Sequence, residues 1–168
     1  VTPEIIYNEF SSGIPDVTAI KDLMKMFYDR AGSDTSLMPK SLLLFGDGSY
    51  DNRHNFGSNT NFILTYQSTS SLSPVASFGT DDYFGLLDDS EGDYVGKLDI
   101  GVGRLPVKNS IEAQIVINKI INYTNPSTNG DWKNWLTFIG DDEDGNVHMW
   151  QSDQLAIYID TAYHVYNI

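Results

Sequence analysis

The sequence predicts an α/β fold with a mostly parallel sheet and helices on both faces. Three observations carry this. The short continuous apolar run Ser41-Leu-Leu-Leu-Phe45 has the character of a strand buried on both faces, and Asp99-Ile-Gly-Val-Gly103 and Trp135-Leu-Thr-Phe-Ile139 also read as buried strands. Between and around them lie segments whose apolar residues recur at helical spacing. Strands alternating with helices are the pattern of parallel pairing, because each parallel crossover needs a long connection.

Taken in order, residues 1–10 read as a lead-in with a short extended piece. A helix is expected from Asp16, a good N-cap after Pro15, with Ile20, Leu23, Met24 and Phe27 on one face. Gly32 is its expected stop. The run Ser41–Phe45 is a central strand that breaks into the loop Gly46–Arg53. Phe62–Tyr66 reads as a second strand and Ser68–Ser77 as a loop. Tyr83–Leu87 reads as a short strand or hairpin arm between two acid pairs. Asp99–Gly103 is a buried strand whose small residues permit close approach, ended by Arg104-Leu-Pro106. Asn109 and Glu112 have the spacing of a capping box, followed by an apolar stripe of Ala113, Val116, Ile117, Ile120 and Ile121. Asn125–Asp131 is polar and rich in turn residues, the best linker candidate. Then come the strand Trp135–Ile139, an acidic loop over 140–146, a helix carrying Leu155, Ile159 and Ala162, and a strand beginning at His164. A chain that stops on an incipient apolar strand reads as a fragment of something longer.

Composition narrows the function. The chain has 168 residues, enough to bury roughly two-thirds of its unfolded surface. With 40% hydrophobic and 12% aromatic residues it is no disordered tail. No apolar run is long enough to span a bilayer, so membrane insertion is not expected. The net charge of -13 disfavours nucleic acid and anionic membranes as partners. There is no Cys, which excludes disulfides, thiolate metal sites and a cysteine nucleophile within these residues. Of the 23 acids, 18 are Asp. Asp favours turns, caps and ion sites over helix interiors.

Those acids concentrate in loops. In Gly46–Arg53, Asp47 and Asp51 suit metal ligation or base orientation; the simpler reading is that they bond loop amides. The Lys-Ser/Thr pair of a phosphate-binding loop is missing. Residues 81–93 hold six carboxylates. Asp81, Asp82, Asp88 and Asp89 are the calcium candidates there, because calcium takes oxygen ligands, although the spacing lacks an EF-hand register. The competing reading is a solvated acidic hairpin. The third loop, Gly140–His148, combines four acids with His148, a base or ligand candidate whose plainer role is capping. Ser49 has no adjacent His and sits in no nucleophile-elbow pattern. Arg104 is expected to pair with a loop acid in an architectural role. An acidic α/β module that binds calcium or a basic protein, without catalysis, is the competing function.

Several strings occur together in one order. They are Tyr7-Asn-Glu-Phe-Ser-Ser-Gly13 with Asp16 and Ala19-Ile20, Leu42–Asp51, Tyr66-Gln-Ser68, Thr80–Gly85, Asp99–Pro106 and Phe138–Met149. This series resembles the gingipain-type cysteine peptidases, in particular the branch that processes cargo of the type IX secretion system. The resemblance implies two caspase-like, flavodoxin-like α/β subdomains. Residues 1–130 match the first, non-catalytic subdomain and 131–168 the beginning of the second, catalytic one. It implies a His-Gly motif and a nucleophilic Cys at later strand ends. Neither His54, His148 nor His164 is followed by Gly, and no Cys is present, so the dyad has no position to be carried onto. In the family an acid from the first loop of the second subdomain assists the catalytic His. That region holds Asp141, Asp142, Asp144 and His148, the rim candidates. The resemblance further implies a hydrolase acting on protein or peptide substrates at the bacterial cell surface or outside it. No cofactor is required, with calcium as a possible brace. The implied partners are the remainder of the catalytic domain and secretion-system components.

Overall fold

The structure is a computed structural model and describes every residue except His54, Ser58 and Tyr94. Among the described residues it is mixed α/β, with two parallel strand pairs and one antiparallel pair, each a separate two-stranded sheet. The chain divides into two compact units, Val1–Val116 and Ile117–Ile168.

The first unit opens with helix α1 (Pro3–Phe10), where an extended piece was expected. Pro3 sits in the first turn, where its missing N–H costs nothing and its fixed φ suits a helix. The helix then buries Ile6 and Tyr7. Helix α2 (Val17–Ala31) starts where the sequence places it: Asp16 Oδ1 accepts from Thr18 N at 2.8 Å. It ends at Gly32, whose φ of 54° most residues avoid. Strand β1 (Ser41–Phe45) pairs in parallel with β4 (Gly101–Leu105), Leu42 opposite Val102 and Leu44 opposite Arg104. The strand expected at 99–103 is thus displaced by two residues: Asp99 and Ile100 precede it, and Arg104 lies inside it.

Two other strand expectations are corrected. Only Tyr66–Gln67 (β2) is strand in the 62–66 region, pairing antiparallel with Gly79–Thr80 (β3). The reason is competition for backbone groups. Phe62 N and Ile63 N donate to Asp47 O, and the carbonyls of Ile63 and Leu64 accept from Arg104. No ladder is left for them. Residues Asp82–Gly85 form a 3-10 turn rather than a strand. That turn drops Phe84 into the core with 0% exposure, beside Ile6, Tyr7, Ala19, Ile20, Leu44 and Ile63. A second cluster joins Met24, Leu87 and Ile100. Each such buried Ile, Leu, Met or Phe side chain contributes about 2 kcal/mol.

Helix α3 (Ser110–Thr124) has the expected cap: Ile111 N and Glu112 N both donate to Asn109 Oδ1 at 3.0 Å. Glu112 reaches back to Lys108 N at 2.8 Å. The predicted apolar stripe is there, yet no α3 residue is buried.

In the second unit, β5 (Trp135–Phe138) pairs in parallel with β6 (His164–Asn167). Helix α4 (Glu143–Ala156) connects them and stops before Ile159 and Ala162, so neither belongs to it. Within its first turn Asp144, Gly145 and Asn146 all hold left-handed backbone angles, and regular helix begins only after Asn146.

Candidate functional site

The ends of β1 and β4 are organised by Arg104. Its Nε donates to Asp81 Oδ2 and its Nη2 to Asp81 Oδ1, both at 2.7 Å. Nη1 donates to Gly46 O at 3.0 Å and Ile63 O at 2.9 Å, and Nη2 to Leu64 O at 3.2 Å. A guanidinium has five N–H donors, and all five are used. The expected pairing with a loop acid is found, and the acid is Asp81.

The acids of the first loop are tied within and around it, Asp51 by backbone amides and Asp47 by side chains. Asp51 accepts from Asn55 N and Phe56 N at 2.8 Å each and from Asn59 Nδ2 at 3.0 Å. Asp47 accepts from Thr60 Oγ1, and Lys108 Nζ lies 3.9 Å from it. Asp51 thus bonds loop amides as the simpler reading has it, whereas the Asp47 carboxylate bonds a hydroxyl and faces a lysine.

The four calcium candidates are distributed among different partners. Asp81 is held by Arg104. Asp89 pairs with Lys25 at 2.7 Å, which lowers its carboxyl below the usual range and raises Lys25 to about 12. Asp82 opens the 3-10 turn. Asp88 joins a different pair of acids: among the described residues, Asp88, Glu91 and Asp99 bring one carboxylate oxygen each within 4.8 Å of one another. Tyr28 Oη donates to Asp88 Oδ1 at 3.3 Å and Asp99 Oδ1 at 3.5 Å, and nearby negative charge, Asp99 above all, raises its phenol. Asp99 Oδ2 accepts from Leu87 N at 2.9 Å, and Glu91 Oε1 from Lys97 N at 2.8 Å. Glu91 Oε2 is buried and, among the described residues, accepts no hydrogen bond. Hard oxygen donors with an orphaned carboxylate oxygen fit a calcium ion. Sequence reading missed Asp99, read only as the start of a strand. Its separation from Asp88 by the turn at 90–98 hides the convergence.

In the second unit, Asp141 Oδ1 accepts from Glu143 N at 2.9 Å. Asp142 occupies the cap position of α4 without a side-chain cap bond. Asp144 sits at φ 52° in the left-handed turn. His148 Nδ1 lies 3.2 Å from Gln151 Oε1, one turn further along α4. All four rim candidates are exposed at the C-terminal end of β5. Gly140 is what brings this loop onto the helix, since a Cβ there would stand 2.8 Å from Met149 Cα. The residue His54 lies outside the described residues.

The strand ends hold acids, the fully bonded Arg104 and no thiol. The family of peptidases to which this architecture points is shown directly: the model of peptidase family C25 matches residues 1–168, and the chain belongs to that family, the gingipain family. Among solved structures, the chain is similar to dimeric latent PorU from Porphyromonas gingivalis, with 31% identity and a TM-score of 0.65. The match covers 90% of this chain and 17% of that one. A search of the curated proteins finds no match.

Proposed function

We propose that this chain is the supporting first subdomain, with the opening of the second, of a gingipain-like cysteine peptidase that processes secreted proteins. The observation that carries this reading is a C25 family match over all 168 residues of a chain that contains no Cys. Peptide cleavage by a thiol peptidase needs a thiolate within reach of a base, and this chain supplies no thiolate. What it supplies is scaffold. On β1, Leu43 is 60% exposed, and on α3 Ile111, Ile120 and Ile121 are exposed too. Parallel strands are ordinarily covered on both faces, so these surfaces suit burial against the remainder of the catalytic domain. The loop at 140–148, with Asp141, Asp142, Asp144 and His148, forms the rim facing that remainder. A surface or extracellular location and contact with secretion-system components belong to the same reading. No helix among the described residues is long and apolar enough to cross a membrane.

The test compares two proteins. The 168-residue chain alone is expected to hydrolyse no peptide substrate. The parent enzyme is expected to turn over and to lose activity on thiol alkylation. Thiol-independent turnover by the chain alone would overturn the reading.

Calcium, held by Asp88, Glu91 and Asp99, is proposed as a brace that would neutralise three converging carboxylates. The melting temperature is expected to rise with calcium below about 1 mM and the rise to vanish in Asp99→Asn. An unchanged melting temperature removes calcium from the account.

A further inference from the structure

The polar segment after α3 carries a chemistry that the peptidase reading does not use. Asn129-Gly130 is the one Asn-Gly pair in the sequence; every other Asn is followed by a residue with a Cβ. Both residues are exposed. A 3-10 turn (Pro126–Thr128) leads into Asn129, and a second (Asp131–Asn134) begins after Gly130. Lys133 reaches back across the junction. Its Nζ donates to Tyr123 O and, at 2.8 Å, to Asn129 Oδ1. It also lies 4.7 Å from the Tyr123 ring centre and 5.4 Å from that of Trp132. The ammonium is thus placed by several groups rather than by Asn129 alone. Among the described residues, Asn129 Nδ2 and Gly130 N make no hydrogen bond. All of these residues belong to the second unit.

We propose that Asn129 is a self-modification site, its amide converted to a carboxylate through a ring closed with Gly130 N, and that Lys133 promotes the closure. Hydroxide removes the Gly130 amide proton. The nitrogen attacks Asn129 Cγ, and the carbonyl electron pair moves onto Oδ1. As that pair returns, the Cγ–Nδ2 bond breaks, and Nδ2 takes a proton from water and leaves as ammonia. A five-membered succinimide remains. Water opens it at either carbonyl. Breaking the bond from Gly130 N to Cγ gives aspartate. Breaking the bond from Gly130 N to the Asn129 carbonyl carbon gives isoaspartate, whose main chain runs through Cγ. The net change is amide and water to carboxylate and ammonium. Three features serve it. Gly130 has no Cβ to obstruct its nitrogen. Neither that nitrogen nor the leaving amide has a hydrogen bond to give up. Charge develops on Oδ1, where the Lys133 ammonium, a donor only, already stands. The product sets a negative charge beside Lys133. Isoaspartate also adds one main-chain carbon where Gly130 passes Trp132, since a Cβ at 130 would stand 3.0 Å from Trp132 Cδ1. This inference is independent of the peptidase reading and of calcium.

The experiment incubates the 168-residue chain in mildly alkaline buffer and follows each Asn by peptide mapping with mass spectrometry, with chromatography to separate aspartyl from isoaspartyl products. Asn129 is expected to change before every other Asn. Lys133→Met is expected to slow the change about threefold, the effect of one exposed charged contact, and Lys133→Arg to restore the rate. A purely structural role for Lys133 predicts the opposite sign, because a freer segment reaches the attack geometry more often. Modification first at another Asn, or none at Asn129, overturns the site. An unchanged or faster rate in Lys133→Met overturns the role of Lys133. The wild-type map needs no variant, so it decides the site even if Lys133→Met fails to fold.

Discussion

Arg104 and Asp81 form a two-pronged salt bridge, Nε to Oδ2 and Nη2 to Oδ1, both at 2.7 Å. The side chains are only 12% and 23% exposed. The rest of the guanidinium ties down Gly46, Ile63 and Leu64, so one residue on β4 fixes the exit of β1, the 62–65 segment and the start of the 3-10 turn.

Breaking this pair leaves a largely buried charge without its counter-ion. Asp81→Asn is expected to destabilise the chain by about 3 kcal/mol in urea unfolding followed by far-ultraviolet circular dichroism. Arg104→Lys is expected to cost nearly as much, because an ammonium cannot span the same five acceptors. If the double variant is no better than the sum of the two singles, the pair is not coupled and the account is wrong.

Gly48 sits against this hub. A Cβ there would lie 2.5 Å from Ile63 O, 2.6 Å from Thr65 Oγ1 and 2.9 Å from Arg104 Nη1. Two of those atoms are held by the hydrogen bond between Arg104 and the Ile63 carbonyl, so neither can retreat. Gly48→Ala is expected to cost about 2 kcal/mol or more. Gly103→Ala is the control, since its Cβ meets nothing within 4 Å, and its effect is expected to stay within about 1 kcal/mol. Equal midpoints for the two variants would count against the packing argument.

The second unit has its own close contact. At Gly140 a Cβ would stand 2.8 Å from Met149 Cα and 2.9 Å from Met149 N, both backbone atoms of α4. Gly140→Ala is therefore expected to loosen α4 from the end of β5. Trp132, Trp135 and Trp150 all lie in this unit, so tryptophan emission reports on it. An early emission transition is expected in the variant, and a wild-type curve would refute the contact.

Tyr66 stacks on Tyr83 with ring centroids 4.0 Å apart and donates to Asp93. Burial, and then the Asp93 carboxylate, push its phenol up to about 12. In the unfolded chain a tyrosine loses its proton near pH 10. The raised value is a stabilising contribution that is whole below about pH 10 and is lost as pH rises from there to about 12, because the unfolded state releases the proton first. Alkaline absorbance titration should show a phenol that titrates near pH 12 and is lost in Tyr66→Phe. A full set of phenols titrating by pH 11 contradicts it.

Legibility in the sequence followed the range of the interactions. The caps at Asp16 and Asn109 and the stop at Gly32 were readable because the bonding partners lie within a few residues. The strands at 41–45 and 135–138 were readable because a short, mostly apolar run marks each of them. The 62–66 region was misread as strand because its β-forming composition carries no record of Arg104, some 40 residues away. The turn at 82–85 was misread for a similar reason. Phe84 enters the core only because Gly85 lets Leu98 and Val102 approach, and that proximity exists only after folding. Of the candidate site, the acid-rich loops were visible, but not which acids meet.

By itself the sequence determined the α/β class, the capped helices, the acidic loops and the absence of any thiol chemistry in these residues. It also determined the family, through motifs kept in order along the chain. The tertiary structure decided which acids are neutralised and which stay free. Asp81 went to Arg104, Asp89 to Lys25, and Asp88 to Glu91 and Asp99, while Asp93 went to the neutral donors of Thr69 and Tyr66. The physical reason is that charge compensation acts through space over a few ångströms, between residues whose positions along the chain say nothing of their distance.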